Sequence, residues 1–187
     1  GYAELRRAIV AKLKRENQLE YTVDEVMTSN GAKQCVCNAV MALVNSGDEV
    51  IIPAPYWVSY PQMVKLAGGN PIYVNAGFEQ NFKMTPEQLE AAITPKTKLL
   101  ILCSPSNPTG SVYSKAELKA LAEVIKRHEN LFVLADEIYE HIIYIGNHES
   151  IAQFEGMKER TIIVNGVSKA YAMTGWRIGF MAAPEWI

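Results

Sequence analysis

Seven short runs of apolar residues, many of them β-branched, recur along the chain, at 26–29, 49–53, 70–74, 98–103, 131–135, 161–164 and 178–182. Runs of this length and composition predict buried strands. Helical patterns fill most of the gaps. Leu5, Ile9, Val10 and Leu13 recur at helical spacing within 3–16, with Arg6, Arg7, Lys12 and Lys14 elsewhere. A second helix opens at Asn30-Gly31-Ala32-Lys33-Gln34, runs to about Val44 and stops at Asn45-Ser46-Gly47-Asp48. A third breaks at Gly68-Gly69, and a fourth spans 85–93 with a Thr cap and Pro in its first turn. The fifth, 115–129, carries Leu118, Leu121, Ala122 and Ile125 on one face. Strands alternating with helices at these intervals fit βαβ units and predict an open, mostly parallel α/β sheet. The stretch 140–159 departs from the pattern and reads as irregular, polar surface structure.

Open α/β sheets bind ligands beyond the carboxyl ends of their strands. Five residues chosen for their chemistry each lie just past an expected strand. Gly31 separates the first strand from the second helix, where bare N–H groups at the helix start can bind a phosphate; an ordinary tight turn reads the same way. Trp57 sits in the stiff loop Ala54-Pro55-Tyr56-Trp57-Val58-Ser59-Tyr60-Pro61, where an indole can stack on a flat ring or simply pack on the core. Asn107 is restricted by Pro105 and Pro108 and serves equally as a turn residue. Asp136 ends an apolar strand, where a carboxylate calls for a cationic partner or caps a helix. Lys169 follows the sixth strand among small residues, and Arg177 follows between Gly175 and Gly179. A lysine in a dry pocket is an amine nucleophile, and an arginine fork grips phosphate through two hydrogen bonds. That pairing is what a pyridoxal phosphate site requires.

Composition narrows the rest. The net charge of −2 gives no basic excess for nucleic acid or a membrane surface, and no apolar run reaches spanning length. The first residues resemble neither a signal nor a transit peptide. Cys35 and Cys37 face different sides of a helix, suiting neither a metal site nor a disulfide, and Cys103 lies in a strand run. The three are expected to be free thiols in a reducing cytoplasm. Neither GxGxxG nor a P-loop is present, which disfavours a nucleotide site.

The segments APYWVSYP, SPSNPTG, ADEIYEH and NGVSKAYAMTGWRIG together resemble the large domain of a fold-type I pyridoxal-phosphate aminotransferase. They are most similar to bacterial-type aspartate aminotransferases, the subgroup that also holds prephenate aminotransferases. The resemblance covers residues 1–187. It implies a three-layer, mostly parallel seven-stranded sheet flanked by helices, with pyridoxal 5'-phosphate as cofactor and no metal. It makes Lys169 the Schiff-base lysine and pairs Asp136 with the pyridine nitrogen. Asn107 and Tyr139 then contact the ring hydroxyl and Trp57 stacks on the ring. Ser168, Arg177 and the backbone of Gly31, Ala32 and Lys33 hold the phosphate, and Trp57 and Asn107 also face the substrate. Where many relatives have a phosphate-binding serine, this chain has Gly166.

Family members are roughly twice this length. The resemblance therefore implies that their N-terminal arm, the tyrosine that reaches a partner subunit, the small domain and the substrate-carboxylate arginine lie outside residues 1–187. The chain is expected to be an excised cofactor-binding domain that folds but does not turn over alone. The implied reaction exchanges an amino group between an amino acid, aspartate, and a 2-oxo acid, 2-oxoglutarate, in a cytoplasmic homodimer. Two other readings share parts of the pattern: a β-lyase or cyclopropane-forming synthase on the same fold, and a ligand-sensing domain of a transcription regulator. The first shares the lysine site. The second calls for a basic DNA-binding segment, which is not present here.

Overall fold

The computed structural model describes residues 1–187. In chain order the elements are α1 (Ala3–Asn17), β1 (Val26–Asn30), α2 (Ala32–Leu43), β2 (Glu49–Ala54), α3 (Ser59–Leu66) and β3 (Asn70–Asn75). They continue with α4 (Pro86–Ala92), β4 (Thr97–Cys103), α5 (Lys115–Lys126), β5 (Phe132–Asp136), β6 (Thr161–Gly166) and β7 (Ile178–Ala182). All seven expected strands and five helices form, with shifts only at their ends. The fifth helix stops at Lys126, short of 129, because residues 127–131 turn back through His128 N–H to Ile125 O and Leu131 N–H to His128 O.

The sheet order is β1-β7-β6-β5-β4-β2-β3. Pairs β2–β3, β2–β4, β4–β5 and β5–β6 are parallel, and β7 runs antiparallel to both β6 and β1. Reversing β7 has a functional consequence. It brings the start of β7, next to Arg177, to the same edge as the carboxyl ends of the other strands.

Alternation along each strand divides the core in two. Val50, Ile52, Leu99, Ile101, Leu134, Ile162 and Val164 face α2 and α3. Ile51, Leu100, Leu102, Val133 and Ala135 face α4 and α5. Ile163 pairs with Ala135 in register, so its face is that of α4 and α5, and it meets Ile9 and Leu13 of α1. The result is the expected three layers. Capping boxes start α4 at Thr85 and α5 at Ser114. No helix is long and apolar enough to cross a membrane.

The reading of 140–159 as surface structure is corrected. Glu140, Ser150, Ile151, Ala152 and Met157 are buried. The segment has no regular period because it is built of turns and short 3-10 helices, but Ile151 and Met157 complete the core under α5.

Candidate active site

The loops at the carboxyl edge enclose a cavity of about 420 Å³. Ala32, Lys33, Trp57, Asn107, Asp136, Tyr139, Ser168, Lys169 and Arg177 all line it, and so do Tyr60, Cys103, Ile138 and Thr174. Nine of the ten residues singled out from the sequence thus share one cavity. Gly31, the tenth, lies directly behind Arg177.

The floor is Asp136, the last residue of β5 and only 5% exposed. Its Oδ2 accepts the Tyr60 hydroxyl at 2.6 Å and its Oδ1 accepts the Ile138 N–H at 3.3 Å. No cation stands within ion-pair distance. Burial pushes the Asp136 carboxyl up from its ordinary value, Tyr60 and the Ile138 N–H pull it back, and Glu137 adds to the rise. A carboxylate in this state is strongly favoured by any positive group entering the cavity. The helix-cap alternative fails, because turns rather than a helix follow Asp136. Beside Asp136, burial pushes the Cys103 thiol up to about 12, and Asp136 adds to it. Cys103 is a neutral wall, not a nucleophile.

The walls are aromatic. Trp57 is half-buried and meets Tyr60 edge to face, with centroids 5.3 Å apart. The indole packs against the core under α2, one of the two readings of Trp57, and also lines the cavity. The Lys33 ammonium lies 4.9 Å from the Trp57 ring centre. Opposite, Asn107 Nδ2 donates to the Tyr139 hydroxyl at 3.4 Å, and Lys169 Nζ lies 5.9 Å from the Tyr139 ring centre. Lys169 is exposed, which corrects the expectation of a dry pocket: the cavity is open on the side where Lys169, Thr174 and Arg177 stand.

One end suits an anion. Helix α2 begins at Gly31 with no side-chain cap and no acidic residue in its first turn, so its leading N–H groups face outward. The Arg177 guanidinium donates to Thr174 O at 3.0 Å and Asn30 O at 3.3 Å, beside this helix start. Two positive features side by side repel unless an anion joins them. Gly31 has φ of 84°, and a Cβ there would stand 2.2 Å from Arg177 Nη2, so only glycine lets the guanidinium lie against the helix start. Gly166 is equally constrained. A Cβ there would come 2.7 Å from Ile178 O, so a serine does not fit this backbone. Buried Ser168 lines the cavity two residues on.

Sequence reasoning missed Tyr60. Its signal was the one-turn spacing from Trp57, which the Tyr60 N–H to Trp57 O bond closes at 3.1 Å. Cys103 also carried one: alternation along β4 puts it on the face of Leu99 and Ile101, at the strand's end.

The family described as aminotransferase class I and II matches residues 1–187. An aspartate/prephenate aminotransferase of Cereibacter sphaeroides is 57% identical over 186 residues, covering 98% of this chain and 46% of its own. A bifunctional aspartate aminotransferase and glutamate/aspartate-prephenate aminotransferase of Petunia hybrida is 54% identical, covering 99% and 39%. The crystal structure of the aspartate aminotransferase from Rhizobium meliloti superposes with a TM-score of 0.98 at 49% identity, over 100% of this chain and 47% of that one. The chain thus spans less than half the length of these relatives. With the family match running over its whole length, the chain belongs to the class I and II aminotransferases.

Proposed function

We propose that residues 1–187 form the cofactor-binding domain of a pyridoxal-phosphate aminotransferase that exchanges the amino group of aspartate with a 2-oxo acid, 2-oxoglutarate. Aminotransferases of the aspartate type use pyridoxal 5'-phosphate. The residues present fit that group. Asp136 is a buried carboxylate without a cation, and the ring nitrogen is one. The uncapped start of α2 and Arg177 form an anion site at the cavity's other end, for the phosphate. Lys169 stands in the same cavity. The buried, cation-free Asp136 is the observation that carries the reading.

Bound there, the cofactor would supply an electron sink conjugated to the substrate's Cα. The chain's own groups do the rest. The Asp136 carboxylate would hold the proton on the ring nitrogen, oriented by the Tyr60 hydroxyl. Trp57 would stack on the ring, while Asn107 and Tyr139 would face its hydroxyl. Ser168, Arg177 and the N–H groups of Ala32 and Lys33 would hold the phosphate. Lys169 Nζ would take a proton from the substrate's Cα as general base and hand it back as general acid. Trp57 and Asn107 would also border the substrate. The Lys33 ammonium, with Trp57 below it and no carboxylate paired to it, fits the second carboxylate of an acidic substrate. Lys33→Met should raise KM for aspartate more than for an apolar amino acid; equal changes would remove Lys33 from that role.

The relatives named for both aspartate and prephenate support a second reading, that prephenate is also an amino acceptor. We further propose a homodimer, because Val58 and Trp176 expose apolar surface beside the cavity residues Trp57 and Arg177. The free cysteines fit a cytoplasmic setting. The test is a coupled assay of the full-length protein with aspartate and 2-oxoglutarate, with prephenate as competing acceptor. Turnover that requires added pyridoxal phosphate and vanishes in Lys169→Ala is expected. Cofactor-independent turnover, or none with any amino acid, would overturn the reading.

A further inference from the structure

The cavity is assembled from two segments that leave the sheet side by side. Residues 136–140 carry Asp136 and Tyr139, and residues 165–169 carry Ser168 and Lys169. Strands β5 and β6 stay in register up to Asp136 and Val164, and one more backbone bond, Glu137 N–H to Val164 O, extends the pairing. Past that point no backbone bond joins the two segments. A side-chain contact does. Glu140 Oε1 accepts the Asn165 Nδ2–H at 2.7 Å, and Asn165 Oδ1 accepts the Gly166 N–H at 2.7 Å. Asn165 thus grips its own backbone just before Ser168 and Lys169 and hands the load to Glu140.

Glu140 is in turn anchored. Its side chain is 4% exposed, largely sheltered from the solvent that would loosen such contacts. Lys12 of α1 donates to Oε1, and Asn17 of α1 donates to Oε2 at 2.8 Å. Lys12 Nζ also donates to Asn17 Oδ1 at 2.7 Å. Three donors meet the carboxylate, two on Oε1 and one on Oε2, and its charge is balanced by Lys12. A buried pair like this adds little net stability over an apolar filling, and its attested use is to fix one arrangement among several. Glu137 and His148 lie within metal-ligating reach of Glu140, but Lys12 already neutralises it, so the cluster needs no ion.

We propose that Glu140 is a positioning residue of the active site: through Asn165 it ties the segment bearing Asp136 and Tyr139 to the segment bearing Ser168 and Lys169, and fastens both on α1. It does not line the cavity. The inference rests on the function proposed above for what it does to rate, and on the structure alone for the tie itself. Reaction geometry is intolerant: a displacement of about 1 Å can cost about a hundredfold.

The experiment uses the full-length protein with three variants: Asn165→Ala, Glu140→Ala, and Glu140→Met combined with Lys12→Met, which removes both charges together and so leaves none stranded. Amide hydrogen exchange is followed in the cofactor-free protein over 137–142 and 166–172. All three variants should quicken exchange in both segments, whichever one carries the substitution. Once loaded with pyridoxal phosphate they should lose roughly tenfold to a hundredfold in kcat, with KM for aspartate little changed. Exchange that quickens only around the substituted residue would overturn the tie. An unchanged kcat alongside quickened exchange in both segments would overturn the positioning role. If the wild-type protein fails to take pyridoxal phosphate at Lys169, the functional reading falls, and the exchange measurement still decides the tie.

Discussion

Asp136, at the end of β5, and Glu140, in the turn after it, are both buried carboxylates, and their surroundings are opposite. Glu140 is met by an ammonium and two amide donors from α1 and β6. Asp136 has a phenol and one backbone N–H, and no cation. One is complete within the chain. The other is left wanting a positive charge on the side where the cavity opens. Buried charges cost several kcal/mol unless compensated, so an uncompensated one marks a place where something else is meant to bind. Under the proposals above, the contrast separates a group that would work on a ligand from a group that would hold the machinery still.

The largest expected effects strike at this contrast. Asp136→Ala should cost the loaded full-length enzyme about 10²–10³ in kcat, the loss typical of removing one preorganised electrostatic partner. Steady-state kinetics check it, and a loss of only a few-fold would reduce Asp136 to a turn residue. Glu140→Ala leaves Lys12 with Glu16, 3.6 Å away, as its remaining counter-charge and should destabilise the protein by about 3 kcal/mol, the low end for breaking a buried pair, read from denaturant melts. A small loss there would mean that Lys12 simply swings out to solvent.

Stability should move the other way at Asp136. Its carboxyl titrates above the ordinary value in the fold, so the folded chain holds the proton longer than the unfolded chain. Stability of the cofactor-free protein therefore falls as pH rises from the ordinary carboxylate range through the raised folded value. Asp136→Asn removes that fall and should stabilise the cofactor-free protein at neutral pH by about 1–3 kcal/mol, while losing activity. Thermal melts at pH 4 and pH 7 test it: destabilisation at neutral pH would show that Asp136 is satisfied without a ligand.

Gly31→Ala should cost about 1–2 kcal/mol through its left-handed backbone and displace Arg177, weakening phosphate binding. Titration with inorganic phosphate or pyridoxal phosphate measures this, and unchanged affinity would detach the α2 start from the anion site. The smallest effect concerns His148, whose Nε2 lies 3.0 Å from Glu137. Burial lowers its affinity for a proton, but Glu137 and, less, Glu140 together outweigh burial and the net shift is upward from 6.5. The pair's contribution is full below that ordinary value and is lost as pH rises through the raised one. His148→Gln should flatten the wild-type decline there by about 1 kcal/mol; identical pH profiles would show that the pair contributes nothing.

Strands, helices and the five residues past strand ends were legible because each rests on local signals: short apolar runs, helical spacing, and a turn or polar residue where a strand stops. Lys169, Asp136 and Asn107 are of this kind. Tyr60 and Asp136 are 76 positions apart, and Lys12 and Glu140 are 128 apart. No periodicity links such pairs; only the folded sheet brings them together. The burial of Ile151 and Met157 was hidden in the same way, since an irregular segment carries no pattern to say which side faces the core. The exposure of Lys169 was equally unreadable, because it depends on how the cavity opens and not on the small residues beside it.

The central claim is that the cavity holds pyridoxal phosphate covalently on Lys169. Borohydride reduction of the cofactor-loaded full-length protein, followed by peptide mapping, tests it directly. The account predicts a single pyridoxyl-modified peptide, labelled at Lys169, and no label in Lys169→Ala. Label on Lys33 or any other lysine, or a protein that binds the cofactor but cannot be labelled, would contradict it.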